Sequence, residues 1–201
     1  MSQNILKNKS SQIDLSVYIK SFLLLMKPRV MSLVLFTAMV GLLVAPVTVS
    51  FTTASLSLMA VAIGSGAAGA LNMWYESDVD ALMSRTCLRP IPTGKIKREQ
   101  ALLFGIILSF ISIIMLYLSS NFISAFLLAA TISFYFFIYT IWLKRKTAQN
   151  IVIGGAAGAL PPVIGWAVAM NNISIEPAIM FLIIFIWTPS HFWALSLYKF
   201  K

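Results

Sequence analysis

Charge is what this sequence has least of. Asp, Glu, Lys and Arg make up 10% of its 201 residues, against 59% hydrophobic, where soluble domains carry about 25% charged residues. With a mean hydropathy of +0.89, that deficit excludes an ordinary water-soluble globule and points to lipid as the main solvent. Acids are the scarcer sign, six against fifteen Lys and Arg, for a net charge of +9. A basic balance of this size is compatible with a nucleic-acid partner. Here, however, the cations stand at the ends of apolar runs rather than among polar, groove-binding elements, so nucleic acid is set aside. The single cysteine, Cys87, excludes an intrachain disulfide and reads as an incidental thiol. The first twenty residues, MSQNILKNKSSQIDLSVYIK, lack an early apolar core. They do not read as a secretory signal but as a polar tail with a short interfacial segment at LSVYIK.

Long apolar runs, by contrast, are abundant. Six of them, about 30–49, 51–75, 101–119, 122–143, 151–170 and 178–198, approach the roughly 20 residues that a bilayer crossing needs. The expected fold is therefore all-α, a polytopic bundle with six transmembrane helices. Every Lys and Arg falls on one side of it. Lys7, Lys9, Lys20, Lys27 and Arg29 precede the first run, and Arg85, Arg89, Lys95, Lys97 and Arg98 lie between the second and third. Lys144, Arg145 and Lys146 lie between the fourth and fifth, and Lys199 and Lys201 follow the sixth. The positive-inside rule makes that side, and both termini, cytoplasmic. Two small-residue stretches, GSGAAGAL (64–71) and GGAAGAL (154–160), are near copies suited to close helix approach in lipid. Pro161, Pro162 and Pro189 fall inside the last two runs, where each removes a backbone donor and is expected to kink its helix.

The stretch LNMWYESDVDALMSRTCLRP (71–90) loads the end of the second run with polar side chains. Asn72, Glu76 and Asp80 are four apart, so on a helix they advance about 40° per step and share one side; Asp78 lies off it. A carboxylate deep in the bilayer costs roughly 2.5–3.5 kcal/mol on insertion scales, so this side should face a watery cavity or a bound cation. Oxygen donors without His or Cys favour a hard ion such as Mg²⁺, which commonly takes one or two carboxylates and completes its shell with substrate phosphate. Arg85 and Arg89, also four apart, can grip phosphate bidentately. The stretch therefore reads as a metal–diphosphate cradle at a cavity mouth; the plain alternative is a solvated helix cap with ordinary ion pairs.

The same segment resembles the first acidic motif of the UbiA-type membrane prenyltransferases. Asn72, Glu76, Asp80, Arg85-Thr86 and Arg89-Pro90 match it residue by residue, with Glu76 where Asp is usual. Three further stretches, MKPRVMSLVLFTAMVGLL (26–43), YTIWLKRKTAQNIVIGGAAGALPPVIGWA (139–167) and WTPSHFWALSLYK (187–199), are similar to the branch of that family that acts on haem. The branch usually reads Pro-Pro before the histidine, where this chain has Pro189-Ser190. The resemblance runs from about residue 20 to the last. It implies a polar cytoplasmic tail over 1–20 and a membrane prenyltransferase domain over 21–201, with six helices here of the family's usual nine.

The implied activity is Mg²⁺-dependent transfer of a farnesyl group from farnesyl diphosphate to a vinyl group of protohaem IX (haem b), giving haem O, at a bacterial inner membrane. By the same resemblance Asn72, Glu76 and Asp80 would be catalytic and hold the metal, with Asp78 a further ligand candidate, and Arg85, Arg89 and Lys144 would hold diphosphate. His191, the only histidine, is a candidate haem ligand, with Trp187 one turn earlier on the same face; the alternative is a histidine hydrogen-bonded within the bundle. Lys27 and Arg29 are expected either at a haem propionate or simply at the membrane surface. Trp74 and Tyr75 are candidates to face an allylic cation or to anchor the interface.

Family members usually continue into a second acidic loop. The acids here are Asp14, Glu76, Asp78, Asp80, Glu99 and Glu176, and none outside 76–80 resembles that motif, so the second half-site is expected to lie outside this sequence. Three readings stay open: a shortened or split product, a partner to a separate C-terminal piece, or an inert remnant. The expectation is that the chain does not catalyse alone. The rival functions are a quinone-ring prenyltransferase, a transporter, and a membrane assembly subunit without chemistry.

Overall fold

The structure, a computed structural model, describes residues 15–147 and 149–199; the expectations on Lys7, Lys9, Asp14 and Lys201 lie outside the described residues. Within them every regular element is helical. Helix α1 (Leu15–Leu25) is followed by α2 (Pro28–Val44), α3 (Phe51–Tyr75), the short α4 (Ser77–Leu82), α5 (Arg98–Ser119) and α6 (Phe122–Ser133). A π-helical segment (Phe134–Leu143) prolongs α6, and α7 (Asn150–Ala159), α8 (Pro161–Met170) and α9 (Ile175–Lys199) complete the bundle. Starts are locally encoded. The Ser50 hydroxyl accepts the Thr53 N–H at 3.1 Å, Asn121 Oδ1 accepts the Ser124 N–H at 2.9 Å, and Pro28 occupies the first turn of α2, where its missing N–H costs nothing.

Five helices are long and apolar enough to cross a membrane, and a sixth is reached when α1 and α2, bent by 50°, count as one. The expected run 30–49 is the one whose bounds shift most. Pro46 cannot continue a helix, and α2 ends at Val44 after 17 residues. At 1.5 Å per residue that is about 26 Å, short of the roughly 30 Å hydrocarbon core, so α1 is needed to complete the crossing. Pro161 and Pro162 divide the fifth run at Leu160, because proline belongs at a helix start; Pro189 lies inside an otherwise continuous α9.

Small residues set the crossings. A Cβ at Gly41 would fall 2.0 Å from the Pro162 carbonyl oxygen, and one at Gly165 would fall 1.9 Å from that of Ala38. The α2 and α8 backbones therefore touch, as lipid-embedded helices do when side chains do not separate them. In the near copies, Gly66 and Gly69 pack against Met26 and Leu25, and Gly154 against the Tyr139 ring. Helix α3 is central, packing against α2, α5, α6 and the π segment.

Two buried clusters result. One joins Ala38, Leu42, Val61, Leu116, Leu128 and Ile164. The other gathers Leu25, Ala70 and Met73 with Ile91, Ile96 and Ala101. The long polar loop after α3 is thus not loose: Ile91 and Ile96 plug it onto α3, Gly94 (φ 72) turns it, and the Ile96 N–H bonds the Pro90 carbonyl at 3.2 Å. Helix α9 is the least covered of the five long spans, with 6% of its apolar window buried against 50% for α3; it rests mainly on α7 and α8.

Candidate active site

The helical path survives the junction between α3 and α4. The Glu76 N–H bonds the Asn72 carbonyl at 3.0 Å and the Asp80 N–H bonds the Glu76 carbonyl at 2.8 Å. Asn72, Glu76 and Asp80 therefore stay on one face, and all three are buried. Asp78 is exposed, off that face.

Each buried oxygen donor meets a cation from a different part of the chain. Lys27 Nζ, in the turn between α1 and α2, donates to Asn72 Oδ1. Lys144, at the end of the π segment, pairs with Glu76. Arg89 Nη1, in the loop, donates to both Asp80 oxygens at 2.8 and 2.7 Å. Thr86 ties the same loop to the helix end, its hydroxyl donating to the Asp80 carbonyl at 3.0 Å. Outside this ring, Arg145 Nη2 donates to both Asp78 oxygens at 2.9 Å and lies 4.7 Å from the Tyr75 ring centre. What burial Asp78 has pushes its carboxyl up, but the Val79 N–H and the Arg145 guanidinium outweigh it and hold the carboxyl below its ordinary value. Trp74 receives Arg98 in the same way, at 5.9 Å. Both aromatic side chains thus carry a protein cation at the mouth of the site.

Behind the acids lies an apolar pocket of about 130 Å³, walled by Val30 and Val34 of α2, Ser65 and Ala68 of α3, Tyr135 of the π segment and Pro161 of α8. Ala68 and Ser65 are one and two turns below Asn72, so the pocket lies along the same helix as the polar ring. The ring's donors are all oxygen, which suits a hard divalent ion. Among the described residues no group of three or more Asp, Glu, His or Cys side chains stands ready to hold a metal. Two carboxylates and one amide fit an ion that takes part of its shell from elsewhere.

Of the residues the sequence singles out, the structure brings together Asn72, Glu76, Asp80, Arg89 and Lys144. Arg85 is exposed and makes no ion pair among the described residues. Arg29 is exposed at the start of α2. Trp187 and His191 stack on each other on α9, ring centres 4.4 Å apart and planes 15° apart, and His191 also meets Phe192 edge-on at 5.8 Å; both are exposed, and among the described residues no hydrogen bond or ring contact joins them to the acidic ring. Two members of the site are less evident from sequence. Lys27, left at a haem propionate or the membrane surface, belongs to the ring; its one signal is a Lys-Pro pair opening an apolar run. Thr140, hydrogen-bonded to Asn72, is the lone aliphatic hydroxyl within an aromatic span.

Fold and site define a multi-pass membrane protein with a ring of oxygen-bearing side chains, each paired with a base, next to an apolar pocket. Comparison with known proteins narrows the class. The profile of the UbiA prenyltransferase family matches residues 34–201, and the chain belongs to that family. It is 65% identical over 200 residues to the protoheme IX farnesyltransferase of Pelagibacter ubique, spanning 99% of this chain and 66% of that protein. It is 58% identical over 178 residues to protoheme IX farnesyltransferase 2 of Mesorhizobium japonicum, spanning 89% and 57%. It is likewise 58% identical over 181 residues to the protoheme IX farnesyltransferase of Rhodopseudomonas palustris strain BisB18, spanning 90% and 58%. The chain thus covers less than two thirds of the length of these relatives. In tertiary structure it resembles a UbiA homolog from Archaeoglobus fulgidus, bound to DMAPP and Mg²⁺, with a TM-score of 0.72 at 19% identity over 84% of this chain and 60% of that one.

Proposed function

We propose that this chain carries the diphosphate-side half-site of an enzyme that transfers a farnesyl group from farnesyl diphosphate to a vinyl group of haem b. The observation that supports this most is the ring itself: Asn72, Glu76 and Asp80, each matched to a basic side chain, over an apolar pocket. The names of relatives 58–65% identical supply the acceptor. In this reading the prenyl chain enters the pocket and its diphosphate stays at the ring. Asn72, Glu76 and Asp80 would hold Mg²⁺, which when bound neutralises charge on the leaving diphosphate; Asp78, bonded to Arg145, stands beside that set.

Lys144 and Arg89 pass from their acids, and Lys27 from the Asn72 amide, to phosphate oxygens, and Arg85 reaches in from the exposed loop. The bond between farnesyl C1 and oxygen breaks with its electron pair leaving on diphosphate. A haem vinyl carbon bonds to the allylic carbon, and water adds a hydroxyl to the resulting cation and releases a proton. The dry walls keep water from the allylic carbon first. His191, Trp187 and Arg29 would contact haem, His191 through the iron and Arg29 through a propionate. The domain runs over 21–201 with the tail 1–20 and both termini on the cytoplasmic side of a bacterial inner membrane, as the one-sided cations indicate.

The test is incubation of membranes containing this chain with haem b, farnesyl diphosphate and Mg²⁺, with and without a separately made C-terminal piece of a relative. Haem O in either arm, lost in Asp80→Ala, is the expected result. Intact farnesyl diphosphate in both arms would overturn the reading.

A further inference from the structure

A hydrogen-bond chain outside the acids decides which way the Asn72 side chain faces. Asn72 is 1% exposed and Thr140 0%, so neither meets bulk water. The Thr140 hydroxyl donates to the Tyr135 carbonyl at 2.9 Å. That uses its only proton, leaving lone pairs, and Asn72 Nδ2 donates to them at 3.2 Å. At the other end of the same amide stands Lys27 Nζ, an ammonium that can only donate. One neighbour accepts and the other donates, and both select the same orientation: NH₂ toward Thr140, carbonyl oxygen toward the ring. The flipped amide would set N–H groups against an ammonium and a carbonyl against hydroxyl lone pairs, inside a buried site where unpaired polar atoms are costly.

The bonding pattern depends on the unusual helix. In an α-helix a threonine hydroxyl returns to the carbonyl three or four residues back. Here it returns five residues back, to Tyr135, and the Lys144 N–H likewise bonds the Tyr139 carbonyl five back at 3.0 Å. Such wide turns are rare and concentrate at functional sites. In this chain the π segment delivers Thr140 to Asn72 and Lys144 to Glu76.

We infer that Thr140 is a positioning residue, holding Asn72 with its carbonyl oxygen, not its amide nitrogen, presented to the cation site. The value of that orientation for a divalent ion rests on the function proposed above; the orientation itself does not. The test uses the full chain purified in detergent, as wild type, Thr140→Val, which keeps the shape but lacks the hydroxyl, and Thr140→Ser, which restores it.

The first readout is proton exchange at the Asn72 side-chain amide, followed by NMR with ¹⁵N-asparagine and assigned by its loss in Asn72→Asp. The second is Mn²⁺ binding in the presence of inorganic pyrophosphate, read from the paramagnetic resonance of unbound Mn²⁺. Thr140→Val should speed Asn72 amide exchange and weaken Mn²⁺ binding by about 10–100-fold, the usual effect of losing a group that orients a ligand; Thr140→Ser should restore both. A merely structural role predicts lowered stability with both readouts unchanged, and that result overturns the inference. Faster exchange in Thr140→Val with no Mn²⁺ binding by any of the three proteins supports the positioning role and refutes the metal reading instead. If Thr140→Val does not fold, Thr140→Ala carries the same expectations.

Discussion

Lys144→Met should make the chain bind a divalent metal more tightly when no diphosphate is present, although it removes a group proposed to help bind substrate. Glu76 is engaged with the Lys144 ammonium, so an ion arriving alone must first displace it. A hydrogen bond to a charged group contributes about 1.5–3 kcal/mol. With Lys144 36% exposed, water screens part of that, and about 2 kcal/mol is a reasonable size for the competition, or ~30-fold in affinity. Methionine keeps an apolar stem and removes the ammonium, so Mn²⁺ affinity without pyrophosphate should rise by about that factor. With pyrophosphate present the wild-type ammonium moves to a phosphate oxygen and the competition disappears. The gain in Mn²⁺ affinity on adding pyrophosphate should therefore be smaller in the variant than in wild type, and by linkage the gain in pyrophosphate affinity on adding Mn²⁺ should shrink equally.

The same substitution leaves the buried Glu76 carboxylate without its cation, which lowers the melting temperature, and Mn²⁺ alone should recover part of that loss. The assay is a Mn²⁺ titration by paramagnetic resonance on detergent-purified protein. Lys146→Met serves as control, since Lys146 is exposed and makes no ion pair among the described residues. An unchanged or weakened Mn²⁺ affinity in Lys144→Met without pyrophosphate would refute the reasoning, because it would mean that Lys144 does not compete for the metal's ligand.

Three further outcomes are expected. Gly165→Ala should destabilise the bundle by about 3 kcal/mol or more, the upper range of overpacking, because the added methyl meets a backbone carbonyl at 1.9 Å, whereas Gly158→Ala, with nothing within 4 Å, should leave the melting temperature nearly unchanged. Asp78→Asn should cost less than about 1 kcal/mol at neutral pH, as an exposed ion pair does. A depressed carboxylate stabilises the fold above its unfolded pKa and loses that contribution as pH falls through its folded pKa, so the gap between wild type and variant should close on acidification; a gap constant with pH would contradict the pairing with Arg145. His191→Gly should abolish the Soret shift seen on adding haem to the wild type, and imidazole in the buffer should restore it; an unaltered shift would exclude His191 as the iron ligand.

The apolar runs and the one-sided cations were legible without a structure because helix length and membrane polarity are local or additive properties. So was the shared face of Asn72, Glu76 and Asp80, which follows from 3.6 residues per turn. The bounds of the first crossing were less so, since α1 completes it only through a 50° bend beside Lys27, a residue with left-handed backbone (φ 53). The polar loop after α3 is held by Ile91 and Ile96 against Leu25 and Met73, partners too distant in sequence for any periodicity to reveal. The π segment has no signature in FYFFIYTIWL, where aromatic and β-branched residues suit several backbone paths. The exposed stack of Trp187 and His191 was foreseeable as a pair one turn apart, but not its separation from the acidic ring.

By itself, the order of residues determined that this is a membrane bundle, that its cations stand at the ends of apolar runs, and which three oxygen donors line one ridge. Only the tertiary structure decided which cation meets which donor: Lys27 reaches Asn72 across 45 positions, and Thr140 reaches it across 68. The physical reason is that such pairings depend on where helices cross and on one extra residue per turn in the π segment, and packing sets both, where short-range pattern has no say.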